Sequence, residues 1–301
     1  MMAGVISTGW RNFRRNLPLW GGLYVAKLLL ALLFATPFLI MIEGSLANSP
    51  LARAMLSSWS LDVMIELFTV QPNVLTTFLV VLFFYGVAVF FLKQFLNGGI
   101  YYTYLYPGKT NLFTFFGESA RQFRGNLKIS LVMILVYLIA ILVGSFVSSF
   151  VPDHMFGYFG AGGMRLMLAR TAVVFVFLIA AFVLSDLLRL RYAAFPDELL
   201  SVSFKAVIAF CRAKFVKCYG IYLLYFVPLV VISFLFERLS LVTTAAIAGT
   251  IGVIIELVLF QISALLHVGQ SLAVTASLSP ILKQEQPGRF KEVTQGELQL
   301  D

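Results

Sequence analysis

The chain has 301 residues, of which 60% are hydrophobic and only 12% charged, with a formal net charge of +8. A soluble globular domain carries roughly 25% charged residues, so this composition excludes that class. Apart from the short tail, no soluble basic face is present for nucleic acid to occupy. The charge instead fits positive-inside topology, with anionic lipid headgroups contributing about 1 kcal/mol per basic residue near the surface.

Arg11, Arg14 and Arg15 precede a first apolar run, about 17–42. That run is far longer than a signal-peptide core of about 7–15 residues, so it reads as a retained helix. Trp10 and Trp20 flank its start, where amphipathic rings favour headgroup depth. In the loop 43–73, Ser60 is a plausible N-cap for a short outer helix carrying Leu61, Met64, Ile65 and Phe68. A second run, 74–96, leads to Gly98-Gly99 and to Tyr101, Tyr102, Tyr104 and Tyr106. These tyrosines are expected at the headgroups.

Phe113, Phe116, Ala120, Phe123 and Leu127 then recur at helical spacing, with Glu118, Arg121 and Gln122 elsewhere on the turn. Such a helix lies in the membrane interface. It runs into a third apolar stretch, 127–151. The 152–163 loop sets Asp153 beside His154, which falls short of a metal site, so no metal is expected. After the fourth run, 167–190, Leu200, Phe204, Val207, Ile208 and Cys211 repeat the amphipathic pattern before the fifth run, 217–236, and the sixth, 245–271. A polar tail, 279–301, is expected to be disordered beyond a membrane domain of 1–278.

Runs of about 20 residues match a hydrocarbon core of about 30 Å, and unpaired amides in lipid leave helices or closed barrels as the choices. Leu79 to Phe91 shows no barrel-type alternation. The expected fold is therefore all-α, a polytopic bundle of six transmembrane helices. Three joins mark three units of amphipathic helix plus hairpin: Arg14-Arg15-Asn16, Arg124-Gly125-Asn126 and Arg212-Ala213-Lys214. Arg14, Arg15, Arg121, Arg124, Arg212 and Lys214 are the expected interfacial anchors. Lys and Arg cluster at the N-terminus, in 93–128, in 189–217 and in the tail, against only Arg53, Arg165, Arg170 and Arg238 elsewhere. This asymmetry places both termini in the cytoplasm.

Catalytic machinery is not legible. The only histidines are His154 and His267, and neither a phosphate loop nor a zinc-binding His-Glu pattern occurs. Cys211 and Cys218 lie about 10 Å apart along a helix, beyond disulfide reach. An enzyme is not expected, and no cofactor is implied.

Charge inside the bilayer is the remaining signal. Lys27 sits about 15 Å into the first helix. Glu256 reaches a similar depth in the last, where Glu256, Ser263, His267 and Gln270 fall on one helical face. Two readings follow. Glu256, Lys27 and His267 form a gated pathway for a proton, ion or small polar solute, or Lys27 and Glu256 pair to fix the first helix against the last.

By size and repeat number the chain suggests the mitochondrial carriers, but their Pro-x-acidic-x-x-basic motif is missing after Pro37 and Pro228. Gly98-Gly99, Ala120-Arg121-Gln122-Phe123-Arg124 and Phe210-Cys211-Arg212 resemble a group of bacterial six-helix membrane proteins. That group includes relatives of membrane domains fused to glycerophosphodiester phosphodiesterases. The resemblance implies a bacterial inner-membrane location. Transport is the leading expectation, with a non-enzymatic scaffold organising envelope partners, or homo-oligomers, as the alternative and a lipid-modifying enzyme third. A polar cavity reaching Glu256 favours transport; a dry packed interior favours the scaffold.

Overall fold

A computed structural model describes residues 2–46, 65, 69, 72–106, 111–152, 161–246 and 250–285. Among the described residues there are seven helices and no strand. They are α1 (Met2–Arg15), α2 (Leu17–Leu46), α3 (Pro72–Leu105), α4 (Leu112–Ser148), α5 (Ala161–Ala194), α6 (Leu200–Ala246) and α7 (Thr250–Glu285). The six from α2 to α7 are long and apolar enough to cross a membrane. Their outward residues, among them Leu33, Phe83, Leu142 and Phe260, are exposed hydrocarbon. The chain is a multi-pass integral membrane protein.

Of the short outer helix expected near 60–68, Ile65 and Thr69 are helical, the Thr69 hydroxyl donating to the Ile65 carbonyl at 2.7 Å. The rest of that segment, Asp153, His154 and residues 286–301 lie outside the described residues. Helix α7 runs through Pro280 to Glu285, into the stretch expected as a tail.

Two of the three joins are real breaks. Helix α1 ends at Arg15 and α2 begins at Leu17. Pro18 sits in the first turn of α2, where its missing N–H costs nothing. Helix α6 is interrupted at Lys214 (φ −126°, ψ 18°), whereas Pro228 keeps helical dihedrals. At Gly125-Asn126 the chain does not break. Helix α4 is one helix of 37 residues, capped by Asn111, whose side-chain oxygen accepts from the Thr114 N–H at 2.7 Å.

Length explains where polar residues can go. Helices α3, α4 and α5 have 34, 37 and 34 residues, about 50–55 Å at 1.5 Å per residue. The hydrocarbon core is about 30 Å thick. Several turns of each therefore extend past its apolar stretch.

The described chain divides into two compact units. One contains Met1–Phe13, Gln94–Leu224 and Ala273–Asp301. Here Val5, Asn12 and Phe13 form the buried face of α1, and Gly9 lies directly against Ser277 of α7. Tyr101, Tyr102, Tyr104 and Tyr106 are buried, Tyr104 completely. The reason is that α3 continues through Gly98-Gly99 to Leu105, carrying the tyrosines into helix packing. The orientation of α4 likewise reverses a soluble helix. Phe113 and Phe116 are exposed while Ser119, Gln122, Asn126 and Ser130 are buried. With lipid outside, polar and small residues are the ones that gain from facing protein.

The other unit contains Arg14–Lys93 and Tyr225–Leu272. Helices α2 and α7 run antiparallel there. The Trp20 indole N–H donates to the Leu265 carbonyl at 2.8 Å, and the Tyr24 hydroxyl donates to Gln261 Oε1 at 2.8 Å.

Candidate functional site

The polar stripe on α7 faces a cleft. In the unit of Arg14–Lys93 and Tyr225–Leu272, a cavity of about 430 Å³ is lined by Ser233, Phe236, Glu237 and Ser240 of α6 and by Glu256, Leu259, Phe260, Ser263 and His267 of α7. Spacings of three and four put each set on one helical face. Two matched stripes thus oppose one another. The Ser240 hydroxyl donates to Glu256 Oε1 at 3.2 Å, closing one end. The walls offer two carboxylates, three hydroxyls and an imidazole against Phe236, Leu259 and Phe260, and no lysine or arginine lines them. Such a surface suits a proton, a cation or a small solute with hydrogen-bond donors.

Of the residues singled out from the sequence, Glu256, Ser263 and His267 meet in this cleft, and Lys27 and Gln270 do not line it. The antiparallel register through Trp20 and Tyr24, carried three residues further, sets Lys27 level with Val258. That is two residues from Glu256, about 3 Å along the axis. Depth agrees with expectation; facing does not. Lys27 is exposed, and among the described residues no ion pair joins it to Glu256. Ser233, Glu237 and Ser240 were missed, although their own spacing repeats the signal that marked α7.

The basic anchors occupy open positions: Arg14, Arg15, Arg121, Arg124 and Arg212 are exposed, while Lys214 is half-buried at the break in α6. Arg121 also pairs with Glu118 at 3.0 Å. Arg189 and Arg191, counted in the basic cluster of 189–217, are 6% and 4% exposed. Each has a carboxylate within reach along the chain, which is what permits its burial.

Those two arginines belong to a second polar centre, in the unit built around Gln94–Leu224. Asp186 of α5 accepts from the Tyr101 hydroxyl of α3 at 2.9 Å and from the Tyr222 hydroxyl of α6. Arg189 Nη1 lies 3.9 Å from Asp186, and Arg189 Nη2 donates to Ser130 Oγ of α4 at 2.9 Å. Ser130 in turn donates to Gln94 Oε1 at 2.5 Å. Hydrogen bonds and the Asp186–Arg189 ion pair therefore tie four helices together. Arg191 holds Glu198 in a bidentate pair at 2.9 and 2.8 Å, and Ser203 donates to the same carboxylate at 2.8 Å. Nothing in local spacing marks Asp186 as the hub, because its partners lie 36 and 85 residues away.

No family model, curated protein or solved structure matches the chain.

Proposed function

We propose that the protein is a transport-related component of a bacterial inner membrane, with both termini cytoplasmic, and that the α6–α7 cleft is its solute site. The observation that carries this reading is the cleft itself. Two helices, each apolar on its outer side, turn Ser233, Glu237 and Ser240 toward Glu256, Ser263 and His267 across about 430 Å³. Polar groups inside membrane helices cost several kcal/mol unless they serve a partner or a path. A structural pair would have given Glu256 a cation; it has a serine hydroxyl and space instead. The resemblance to bacterial six-helix membrane proteins supports the location, and the exposed arginines support contact with anionic headgroups on the cytoplasmic face.

Flux through proteoliposomes tests the proposal. Swelling in small polar solutes and proton entry reported by a trapped dye are measured for the wild type and for Glu256→Gln. A wild-type flux that falls at least tenfold in the variant, with folded yield retained, is the expected result. Equal traces from wild type, variant and empty liposomes would count against it.

A further inference from the structure

Three buried amides lie where α3 meets α4, at the edge of the apolar stretches. Asn97 is 6% exposed, Gln122 1% and Asn126 0%. The contact is close: a Cβ on Gly98 would stand 3.0 Å from the Gln122 Cβ and 2.8 Å from the Glu118 carbonyl. Asn126 Nδ2 donates to the Gln94 carbonyl at 3.4 Å, and Gln122 Nε2 donates to Glu118 Oε2 at 2.9 Å. Both acceptors can only accept, so the two side-chain amides cannot be turned over. Their remaining oxygens, Gln122 Oε1 and Asn126 Oδ1, are buried without a partner, and so is the amide nitrogen Asn97 Nδ2.

Each such atom costs about 1–3 kcal/mol if left unmet, so three in one seam require an occupant. Its chemistry is set by the atoms. A cation satisfies the two oxygens and is repelled by the N–H₂ of Asn97. An anion satisfies that N–H₂ and is repelled by the two oxygens. Water accepts one hydrogen bond and donates two, which is the complement of one donor and two acceptors. Buried waters characteristically make about three such bonds.

We infer that Asn97, Gln122 and Asn126 form a site for internal water at the α3–α4 seam. The water adjoins the network of Ser130, Arg189 and Asp186 through Gln94, whose main-chain carbonyl accepts from Asn126 and whose side-chain oxygen accepts from Ser130. Water reaches the seam from the headgroup region, since Asn97 directly follows the second apolar run and Asn126 directly precedes the third. The inference is independent of the transport reading, because the cleft around Glu256 belongs to the other unit.

The test is density for the full chain in lipid nanodiscs at a resolution that reveals water. A peak within about 3.2 Å of Asn97 Nδ2, Gln122 Oε1 and Asn126 Oδ1 is expected. Overturning results are amides bonded directly to one another with no peak, or a peak with contacts near 2.4 Å, as for a metal ion. Thermal melting of Asn97→Leu gives a second reading. With water present the variant melts lower, because the water loses the N–H that holds it and is displaced by the leucine, leaving the two amide oxygens without a donor. With a dry seam it melts unchanged or higher, because an unmet polar group has been removed, and the inference fails.

Discussion

Arg189 and Gly98 illustrate the two ways single residues hold the unit around Asp186 together. Arg189 is a buried cation whose charge is met by Asp186 and Ser130. Arg189→Met leaves Asp186 without its cation and is expected to cost about 3 kcal/mol. Adding Asp186→Asn should recover part of the loss in a melting experiment, since the remaining tyrosine hydroxyls still find an acceptor. Gly98 is a matter of space. A methyl group there meets the Glu118 carbonyl at 2.8 Å and the Ser119 Cα at 3.0 Å, and backbone cannot step aside. Gly98→Ala should therefore destabilise by about 1–3 kcal/mol. Gly117→Ala, with nothing within 4 Å, should be neutral or gain about 1 kcal/mol from helix propensity. Differential melting of the pair separates close packing from a general intolerance of change.

At the scale of elements, the six long helices were legible from apolar run length, whereas the amphipathic lead-ins marked three joins alike and only those at Asn16 and Lys214 are breaks. The apolar face of the α4 lead-in was expected at the lipid boundary, and Phe113 and Phe116 are exposed; periodicity did not reveal that the opposite face, Ser119, Gln122 and Asn126, is buried against protein. The turn between α5 and α6 makes a testable case. Glu198 is the shared acceptor of Arg191 and Ser203, so it pins the first turn of α6 to the end of α5. Glu198→Ala should speed backbone hydrogen exchange at 200–213. Residues 215–246 should change little, because the non-helical dihedrals of Lys214 uncouple the two stretches. Equal acceleration along the whole of α6 would mean that the break transmits the disturbance.

For the molecule as a whole, charge placement and the cleft make separate claims. The charge pattern predicts that the joins and both termini face the cytoplasm; reporters fused at either end should then give the same cytoplasmic signal. Half of the candidate site was visible beforehand. The α7 stripe from Glu256 to His267 stood out as charge within an apolar run, whereas Ser233, Glu237 and Ser240 became meaningful only once α6 was seen to face it. Lys27 lies nearly level with Glu256 but is exposed and does not line the cleft, since equal level on antiparallel helices leaves rotation about each axis undetermined. The central proposal is that the α6–α7 cleft is a solute site, which requires it to be open to water within the membrane. With Cys211 and Cys218 replaced by alanine, Ser263→Cys and Leu257→Cys are compared for reaction with a membrane-impermeant thiol reagent. Ser263 lines the cleft, and Leu257 is 59% exposed on the lipid side of the same helix. The account predicts that Ser263→Cys reacts at least tenfold faster; equal rates, or faster reaction at Leu257→Cys, would contradict it.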